Sequence, residues 1–409
     1  MELQNTKLDM QVFERALRKQ LLNKNVIVLK VTENSLSEKG LNFLSDLYKV
    51  DVRYKIVTKN NNEIAESEKT SSMFIKVEPS NKLSKDMCQQ QSFCLTEMRI
   101  LRDVLPQIEE LVGCQFGPKL YYSLENPTVL IMENLLERGF FMKDRQKGLP
   151  FEHCRLVVER IAKLHAGSVA FFEKDPKLIE SFKDGGITTI KCPRSYFRLM
   201  EVSLLRIADQ VRKWSNGEYS AAADKLLKLE KTIAERCMDV YNYDEDEFCV
   251  LNHGDCWTNN EMFVENENGE PTDFLLVDYQ MAVYSSPAID LIYFLNICPE
   301  FEIKYDNDDY FLTHYLNTLS DTMKSIGCKK KPPTMEELKK AIDKRRIYTV
   351  FSGIILCLRM IANKEDTEDF NEVFGQLSGE TKINVFKNPD AIKLAQKMIP
   401  IMNERGYLD

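Results

Sequence analysis

Hydrophobic patterning divides the chain into a strand-rich first third and a helical remainder. Helical spacing of apolar residues predicts a short helix near 8–22 and a longer one over about 85–104 that ends before Pro106. Alternating or continuous apolar runs predict strands at 26–31, about 43–58, 72–77, 119–124 and 129–133. We therefore expect a five-stranded mixed or antiparallel sheet with one main helix.

Helical periodicity dominates after residue 134. It predicts helices at 151–169, 196–214, 221–240, 334–363 and 389–405. Thr334 with Glu337 matches the capping box that begins many helices. The one β element expected here is a hairpin of 261–264 and 274–278. The change of pattern predicts an α+β chain of two lobes, an N-lobe of 1–134 and a C-lobe of 135–409.

Composition narrows the class of protein. A chain of 409 residues, 44% of them hydrophobic, can bury the cores of two lobes. A net charge of -8 argues against a nucleic-acid partner. The 11 cysteines are scattered and odd in number, which is typical of reduced thiols in the cytosol. The first residues lack a signal-peptide pattern and no apolar run would span a bilayer, so we expect a cytoplasmic protein.

Polar side chains with candidate chemistry follow two neighbouring apolar runs. Asp255 and Asn260 lie in a loop before a short strand, and Asp278 follows the hairpin. Phosphoryl transfer needs one carboxylate to accept a hydroxyl proton, and an amide and a second carboxylate to hold Mg²⁺ on the nucleotide phosphates. An isolated aspartate in such a loop is more often a turn or a cap. The three groups together favour a phosphoryl-transfer site, with Asp255 as base and Asn260 and Asp278 as metal ligands.

The first third offers groups for the nucleotide. Lys76, near the end of a strand, is either an ordinary edge-strand charge or a phosphate anchor paired with Glu97. The turn between the first two strands holds Gly40, Asn42 and Ser45, whose donors could cover phosphates, although a plain hairpin turn is equally consistent.

The fifth strand ends at the expected lobe boundary. Backbone groups from Glu133 to Leu135 could hydrogen-bond an adenine edge there, or the stretch could be an ordinary linker. Of the remaining polar residues, His165 is interpreted as a packed core histidine and His253 as a brace for the Asp255 loop. Asp290 is interpreted as structural, either capping its helix or hydrogen-bonding that loop.

The motifs of the C-lobe resemble a known family. HGDCWTNN at 253–260, VDYQ at 277–280 and SPAIDL at 286–291 resemble the ecdysteroid kinase-like proteins, an insect-rich branch of the choline kinase and aminoglycoside phosphotransferase superfamily. The likeness extends to GLNFLS at 40–45, Lys76, Glu97, MENL at 132–135 and LHAGS at 164–168, and so covers most of the chain in the expected order.

The resemblance implies a two-lobed protein-kinase-like fold that transfers the γ-phosphate of ATP to a hydroxyl of a small molecule. Ecdysteroids are the named substrate, and other members are associated with xenobiotic alcohols and hence with detoxification. Carried over, Asp255 would be the base, Asn260 and Asp278 the Mg²⁺ ligands, and Lys76 with Glu97 the phosphate anchor. Cys256, Thr258 and Tyr279 replace the usual leucine, valine and phenylalanine, and Phe43-Leu44 is bulkier than usual. No charged catalytic group is replaced, so we expect an active enzyme.

The identity of the alcohol depends on the helical stretch near 190–245. Its apolar side chains would wall a pocket for an apolar alcohol, or form ordinary helix core; they are Tyr196, Phe197, Met200, Leu204, Leu205 and Trp214. No acidic cage for a quaternary amine is recognisable. A choline/ethanolamine or aminoglycoside-type kinase is the enzymatic alternative, and a pseudokinase that binds small molecules is the other. We expect a monomer.

Overall fold

The computed structural model describes residues 8–36, 44–60, 63–189, 191–192, 194–362 and 385–409. Across these ranges no helix is both long and apolar enough to cross a membrane. All 11 cysteines are free thiols, as their spacing predicted.

Five antiparallel strands form the sheet of the N-lobe. They are β1 (Val26–Ser35), β2 (Asp46–Asn60), β3 (Glu63–Val77), β4 (Leu120–Glu125) and β5 (Thr128–Glu133). Their order is β1-β2-β3-β5-β4, and every neighbouring pair is antiparallel. The third strand begins earlier than predicted, because it continues the β2 hairpin from Asn60 opposite Glu63. Lys76 pairs with Leu47 on one side and Leu130 on the other, so it lies on the central strand.

Helices cover both faces of this sheet. On one face, α1 (Met10–Gln20) buries Phe13 and Leu17 against apolar strand residues such as Val52 and Ile75. The other face carries α2 (Lys82–Gln91), α3 (Phe93–Arg99) and α4 (Leu105–Val112), joined through a π-helical turn at Ile100–Val104.

The prediction of one helix over 85–104 that ends before Pro106 is wrong. Ser92 adopts a left-handed conformation with φ of 58° and separates α2 from α3. The helical path continues past Pro106, which falls in the first turn of α4. Proline is tolerated there because the missing N–H would have had no partner within the helix.

The C-lobe is mainly helical. Its helices are α5 (Phe151–Lys174), α6 (Pro176–Glu180), α7 (Arg194–Arg212), α8 (Ser220–Leu229), α9 (Ile233–Asp239), α10 (Ala288–Ile297), α11 (Asp308–Ser325), α12 (Met335–Lys344), α13 (Arg346–Thr349), α14 (Leu358–Ile361) and α15 (Pro389–Glu404). The single helices predicted at 221–240 and 334–363 are each broken, the first between α8 and α9 and the second at Arg345. A π-helical segment at Val350–Cys357 then joins α13 to α14. Residue 363 lies outside the described residues. All 10 residues of α10 are buried, which makes it the central helix of the lobe.

Short strands accompany the predicted hairpin of β8 (Glu261–Glu265) and β9 (Pro271–Leu276). The expectation that this hairpin is the one β element of the C-lobe is wrong. Strand β6 (Phe141–Met142) pairs with β8 and extends the hairpin, and β7 (Val250–Asn252) pairs with β10 (Val283–Ser285). Strands of two or three residues are too short to show alternation in the sequence. The predicted α+β class, with a five-stranded sheet followed by a mainly helical lobe, is confirmed.

The capping box at the start of α12 yields a test of the fold. Thr334 Oγ1 accepts from Glu337 N at 3.2 Å, and Glu337 Oε2 accepts from Thr334 N at 2.7 Å. We expect Thr334→Ala to lower the free energy of unfolding by about 1 kcal/mol, because the N–H of Glu337 in the first turn loses its acceptor. Urea denaturation measures the change. Thr313→Ala, at an exposed position within α11, is the matched control, and an equal loss in both variants would contradict the assignment.

Candidate active site

The ammonium of Lys76 lies between two carboxylates. Its Nζ is 2.6 Å from Glu97 Oε2 on α3 and 2.6 Å from Asp278 Oδ1, just after β9. Lys76 and Glu97 are both buried. Burial lowers the pKa of Lys76, but the charges of Asp278 and Glu97 raise it by more, so the pKa stands well above its ordinary value. Lys76 is therefore not an edge-strand charge with its head in water.

Asp278 occupies the left-handed region of backbone conformation, with φ of 69°. Aspartate adopts this conformation more readily than most residues, although at some cost. Its Oδ1 accepts from Lys76, and its Oδ2 accepts from Gln280 Nε2 at 3.2 Å. The turn after the hairpin thus directs this carboxylate toward the N-lobe.

Both carboxylate oxygens of Asp255 are held by hydrogen bonds. Oδ2 accepts from Asn260 Nδ2 at 2.9 Å, and Oδ1 accepts from the hydroxyl of Tyr293 at 2.8 Å. Burial and the nearby charge of Asp278 raise the pKa of Asp255 to about 7, although hydrogen bonds from Tyr293, Asn260 and Trp257 partly offset them. A carboxylate with a pKa near neutrality suits a general base.

Asp290, at the start of α10, holds the loop that carries Asp255. Its carboxylate accepts from the backbone N–H groups of His253 at 2.7 Å and Gly254 at 2.8 Å, and contacts His165 Nε2 at 3.1 Å. Burial raises the pKa of Asp290, but these hydrogen bonds and the neighbouring imidazoles lower it by more. His165 is the packed core histidine that was predicted, with its Nδ1 2.9 Å from the hydroxyl of Tyr315.

The loop conformation itself requires glycine. Gly254 has φ of +83°, and a Cβ there would lie 2.1 Å from the carbonyl oxygen of Met281. His253 braces the loop as expected, since its Nε2 is 3.0 Å from the carbonyl oxygen of Val277 and its Nδ1 accepts from Asp255 N at 3.3 Å. Burial lowers the pKa of His253, which favours the neutral imidazole that this arrangement needs.

Comparison with known families identifies the chain. The model of the ecdysteroid kinase-like family matches residues 39–328, which include every group described above. The chain belongs to the ecdysteroid kinase-like family. Family membership places it among small-molecule phosphotransferases. No curated protein sequence gives a match.

Solved structures that resemble this ecdysteroid kinase-like protein share little of its amino-acid sequence. Spectinomycin phosphotransferase APH(9)-Ia, in complex with ADP and spectinomycin, is 12% identical, covering 95% of this chain and 99% of that one, with a TM-score of 0.42. ADP-bound aminoglycoside phosphotransferase APH(2'')-Ib is 14% identical over 92% and 100%, with a TM-score of 0.37. Macrolide 2'-phosphotransferase MphH from Brachybacterium faecium is 11% identical over 84% and 92%, with a TM-score of 0.34. Likeness this remote says nothing about the substrate.

Other predicted site residues of this ecdysteroid kinase-like protein have mixed outcomes. Gly40 and Asn42 lie outside the described residues, whereas Ser45 is buried just before β2. The side chain of Glu133 accepts from Lys119 N, and Leu135 packs in a small apolar cluster with three neighbours from the C-lobe. Contact with adenine through their backbone stays a prediction.

Most of the apolar stripe of α7 forms core, which is the second of the two interpretations, whereas Leu205 is 36% exposed. Tyr196, Phe197, Met200 and Leu204 are at most 5% exposed and belong to the main hydrophobic cluster. Trp214 packs edge-on against Tyr219 and Phe386. A helix buried on its apolar face needs no ligand to explain that face.

Sequence reasoning missed two side chains that touch Asp255. Trp257 lies within the quoted motif, but no role was assigned to it. Tyr293 comes from α10, three residues after Asp290, and residues three apart share a helix face. Because Asp290 was considered as a holder of the Asp255 loop, that spacing is the signal that could have found Tyr293.

Asn260 and Asp278 suit a magnesium ion that arrives with a nucleotide. The amide nitrogen of Asn260 is committed to Asp255, which leaves Oδ1 for a cation. In nucleotide sites Mg²⁺ takes one or two protein oxygens and completes its shell with phosphates and water. Among the described residues no group of three or more His, Cys, Asp or Glu side chains could hold a metal.

Asp290 provides the test of this arrangement. We expect Asp290→Asn to lower the free energy of unfolding at neutral pH by about 3 kcal/mol or more, since it removes a buried charge that three donors share. Because the folded pKa is depressed, the contribution is fully present above the ordinary carboxyl pKa of about 3.9 and is lost as pH falls through the folded pKa.

Denaturant unfolding curves of wild type and variant, recorded at a series of pH values across this acid range, measure the difference in free energy of unfolding. Asp321→Asn, on the exposed side of α11, is the matched control and should behave as wild type. A difference between Asp290→Asn and wild type that stays constant down to strongly acid pH would contradict the assignment.

Proposed function

We propose that this protein is an ATP- and Mg²⁺-dependent kinase that transfers the γ-phosphate to a hydroxyl group of a small molecule, such as an ecdysteroid or a xenobiotic alcohol. Family membership supports phosphoryl transfer. The observation that carries the proposal is the hydrogen-bonded carboxylate of Asp255. Burial and the charge of Asp278 raise its pKa to about 7. A candidate base thus shares one buried site with the Lys76 pair.

In this proposal the two lobes have different roles. The N-lobe, 1–134, binds the nucleotide, with Lys76 donating to phosphate oxygens and Glu97 holding the ammonium in position. The C-lobe, 135–409, supplies Asp255 and the groups that would hold the metal, Asn260 and Asp278. When bound, Mg²⁺ neutralises charge on the phosphates.

The proton of the acceptor has a defined destination. The hydroxyl oxygen forms the new bond to the γ-phosphorus while the bond from that phosphorus to the bridging oxygen breaks. The bridging oxygen keeps the electron pair and leaves as part of ADP. The hydroxyl proton passes to Asp255. Tyr293 and Asn260 orient the carboxylate beforehand, so no rearrangement is needed at the moment of transfer.

Replacing the base tests the function. We expect Asp255→Asn to lower kcat about 10³-fold, the size of a general-base contribution, because an amide cannot take the proton. Affinity for Mg²⁺ and a fluorescent ATP analogue should change little. ADP formation with a panel of ecdysteroids, phenols, sugar alcohols and choline measures turnover, and Asp321→Asn is again the control. Wild-type protein that neither binds the nucleotide nor phosphorylates any acceptor would refute the kinase assignment.

Replacing the second carboxylate tests the metal. We expect Asp278→Asn to raise the Mg²⁺ concentration needed for half-maximal ATP binding about tenfold or more, because a charged ligand is lost. ATP binding without metal should not weaken, since the variant removes a negative charge beside the phosphates. Calorimetric titration with ATP at a series of Mg²⁺ concentrations measures both quantities. Identical Mg²⁺ dependence in variant and wild type would rule out this ligand.

A further inference from the structure

A cavity of about 420 Å³ lies beside the loop that carries the proposed base. Trp257 and Thr258 form one wall, and the segments at 145–148 and 297–304 form others, together with residues of α14 and α15. A volume of this order is typical of small-molecule pockets.

The cavity is connected to the base through one side chain. The backbone N–H of Trp257 donates to the carbonyl oxygen of Asp255 at 3.0 Å, and the Trp257 side chain lies near enough to the Asp255 carboxylate to lower its pKa. The same residue lines the cavity. A molecule that fills the cavity therefore lies against a residue that touches the base.

Basic side chains outnumber acidic ones around this cavity. Four basic residues line it, Arg145, Lys147, Lys304 and Lys393, against two acidic ones, Glu302 and Asp390. Asp390 is neutralised by Lys393 at 3.2 Å, and Glu302 is exposed. Within the part of the chain that the structure describes, the other three cations form no ion pair.

Lys304 is the most unusual of these cations. It is 3% exposed, and its Nζ donates to the carbonyl oxygen of Asn296 at 2.7 Å. An ammonium carries three N–H donors, so this bond leaves capacity for a further acceptor. Glu261 is a buried carboxylate nearby, since both it and Lys304 shift the pKa of the Cys154 and Cys298 thiols. It forms no ion pair with Lys304. A buried cation without a counterion is unfavourable unless a bound anion completes its surroundings.

The remaining walls are largely apolar. Ile297, Phe301, Met360, Ile361 and Leu394 line the cavity with Trp257. The occupant that fits both features has an apolar body and one anionic end.

We propose that this cavity is the acceptor pocket, and that its ligand is a hydroxyl compound with an apolar body and an anionic group, a carboxylate or a sulfate, bound by Lys304 and Arg145. The inference rests on the proposed function and refines its substrate class. Polycationic acceptors such as aminoglycosides, and the cation choline, are disfavoured by the same charges.

A matched pair of ligands tests the proposal. The probes are ω-hydroxylauric acid and its methyl ester, which differ in the anion alone, titrated calorimetrically into protein loaded with Mg²⁺ and a non-hydrolysable ATP analogue. We expect the acid to bind about tenfold or more tightly than the ester, the gain of a hydrogen bond between charged groups.

Variants assign the preference to the two cations. Lys304→Met and Arg145→Gln should each remove most of the preference for the acid while affecting ester binding far less. Lys324→Met, which removes an exposed lysine outside the cavity, should keep the preference. Arg145 is partly exposed and makes no hydrogen bond among the described residues, so its variant keeps the test valid if Lys304→Met fails to fold.

Each outcome decides the question. Equal affinity for acid and ester, no saturable binding of the acid, or a preference that survives in folded forms of both variants would overturn the proposal. ADP formation separates this result from the proposed function. Preferential binding of the acid without phosphorylation of any acceptor would count against the kinase assignment alone, whereas turnover of neutral alcohols without preference for the acid would count against the pocket alone.

Discussion

The ion pairs of Lys76 are the interaction on which the rest of the structure depends. One buried ammonium joins the central strand of the sheet, helix α3 and the turn after the β8–β9 hairpin, through contacts of 2.6 Å to Glu97 and to Asp278. Removing the ammonium would leave two carboxylates close together without a compensating charge. The two lobes therefore meet at a defined distance, and the carboxylate suited to a metal lies next to the cation suited to phosphate.

Helix α10 imposes the second constraint. Its first turn carries Asp290, which accepts hydrogen bonds from two backbone N–H groups of the Asp255 loop, and its next turn carries Tyr293, which donates to Asp255. Because all 10 residues of the helix are buried, its side chains cannot move far without disturbing the core. The proposed base is thus oriented by a rigid element that need not touch the substrate.

Local patterns in the sequence were enough to predict most strands and the motif residues. Features that depend on tertiary contacts could not be predicted in this way. Alternating apolar runs predicted the five N-lobe strands, and the motifs singled out Asp255, Asn260 and Asp278, which the structure brings close together. The helix break at Ser92 carries no proline or glycine signal, and Gly353 alone does not predict the π-helical segment Val350–Cys357 that contains it. The aromatic stripe around Tyr196 has the same spacing whether it packs as core or faces a ligand, so periodicity could not decide. Lys304 lies outside every motif, and its burial follows from the fold alone.

The central claim is that one cleft holds Mg²⁺ between Asn260 and Asp278 and phosphate at Lys76. Crystals grown with Mn²⁺ and a non-hydrolysable ATP analogue test it directly, because manganese replaces magnesium in such sites and scatters anomalously. We expect an anomalous peak in contact with Asn260 Oδ1 and an oxygen of Asp278, with the β- and γ-phosphates beside Lys76. Nucleotide density with the metal peak away from both side chains, or nucleotide bound outside the cleft, would contradict the account.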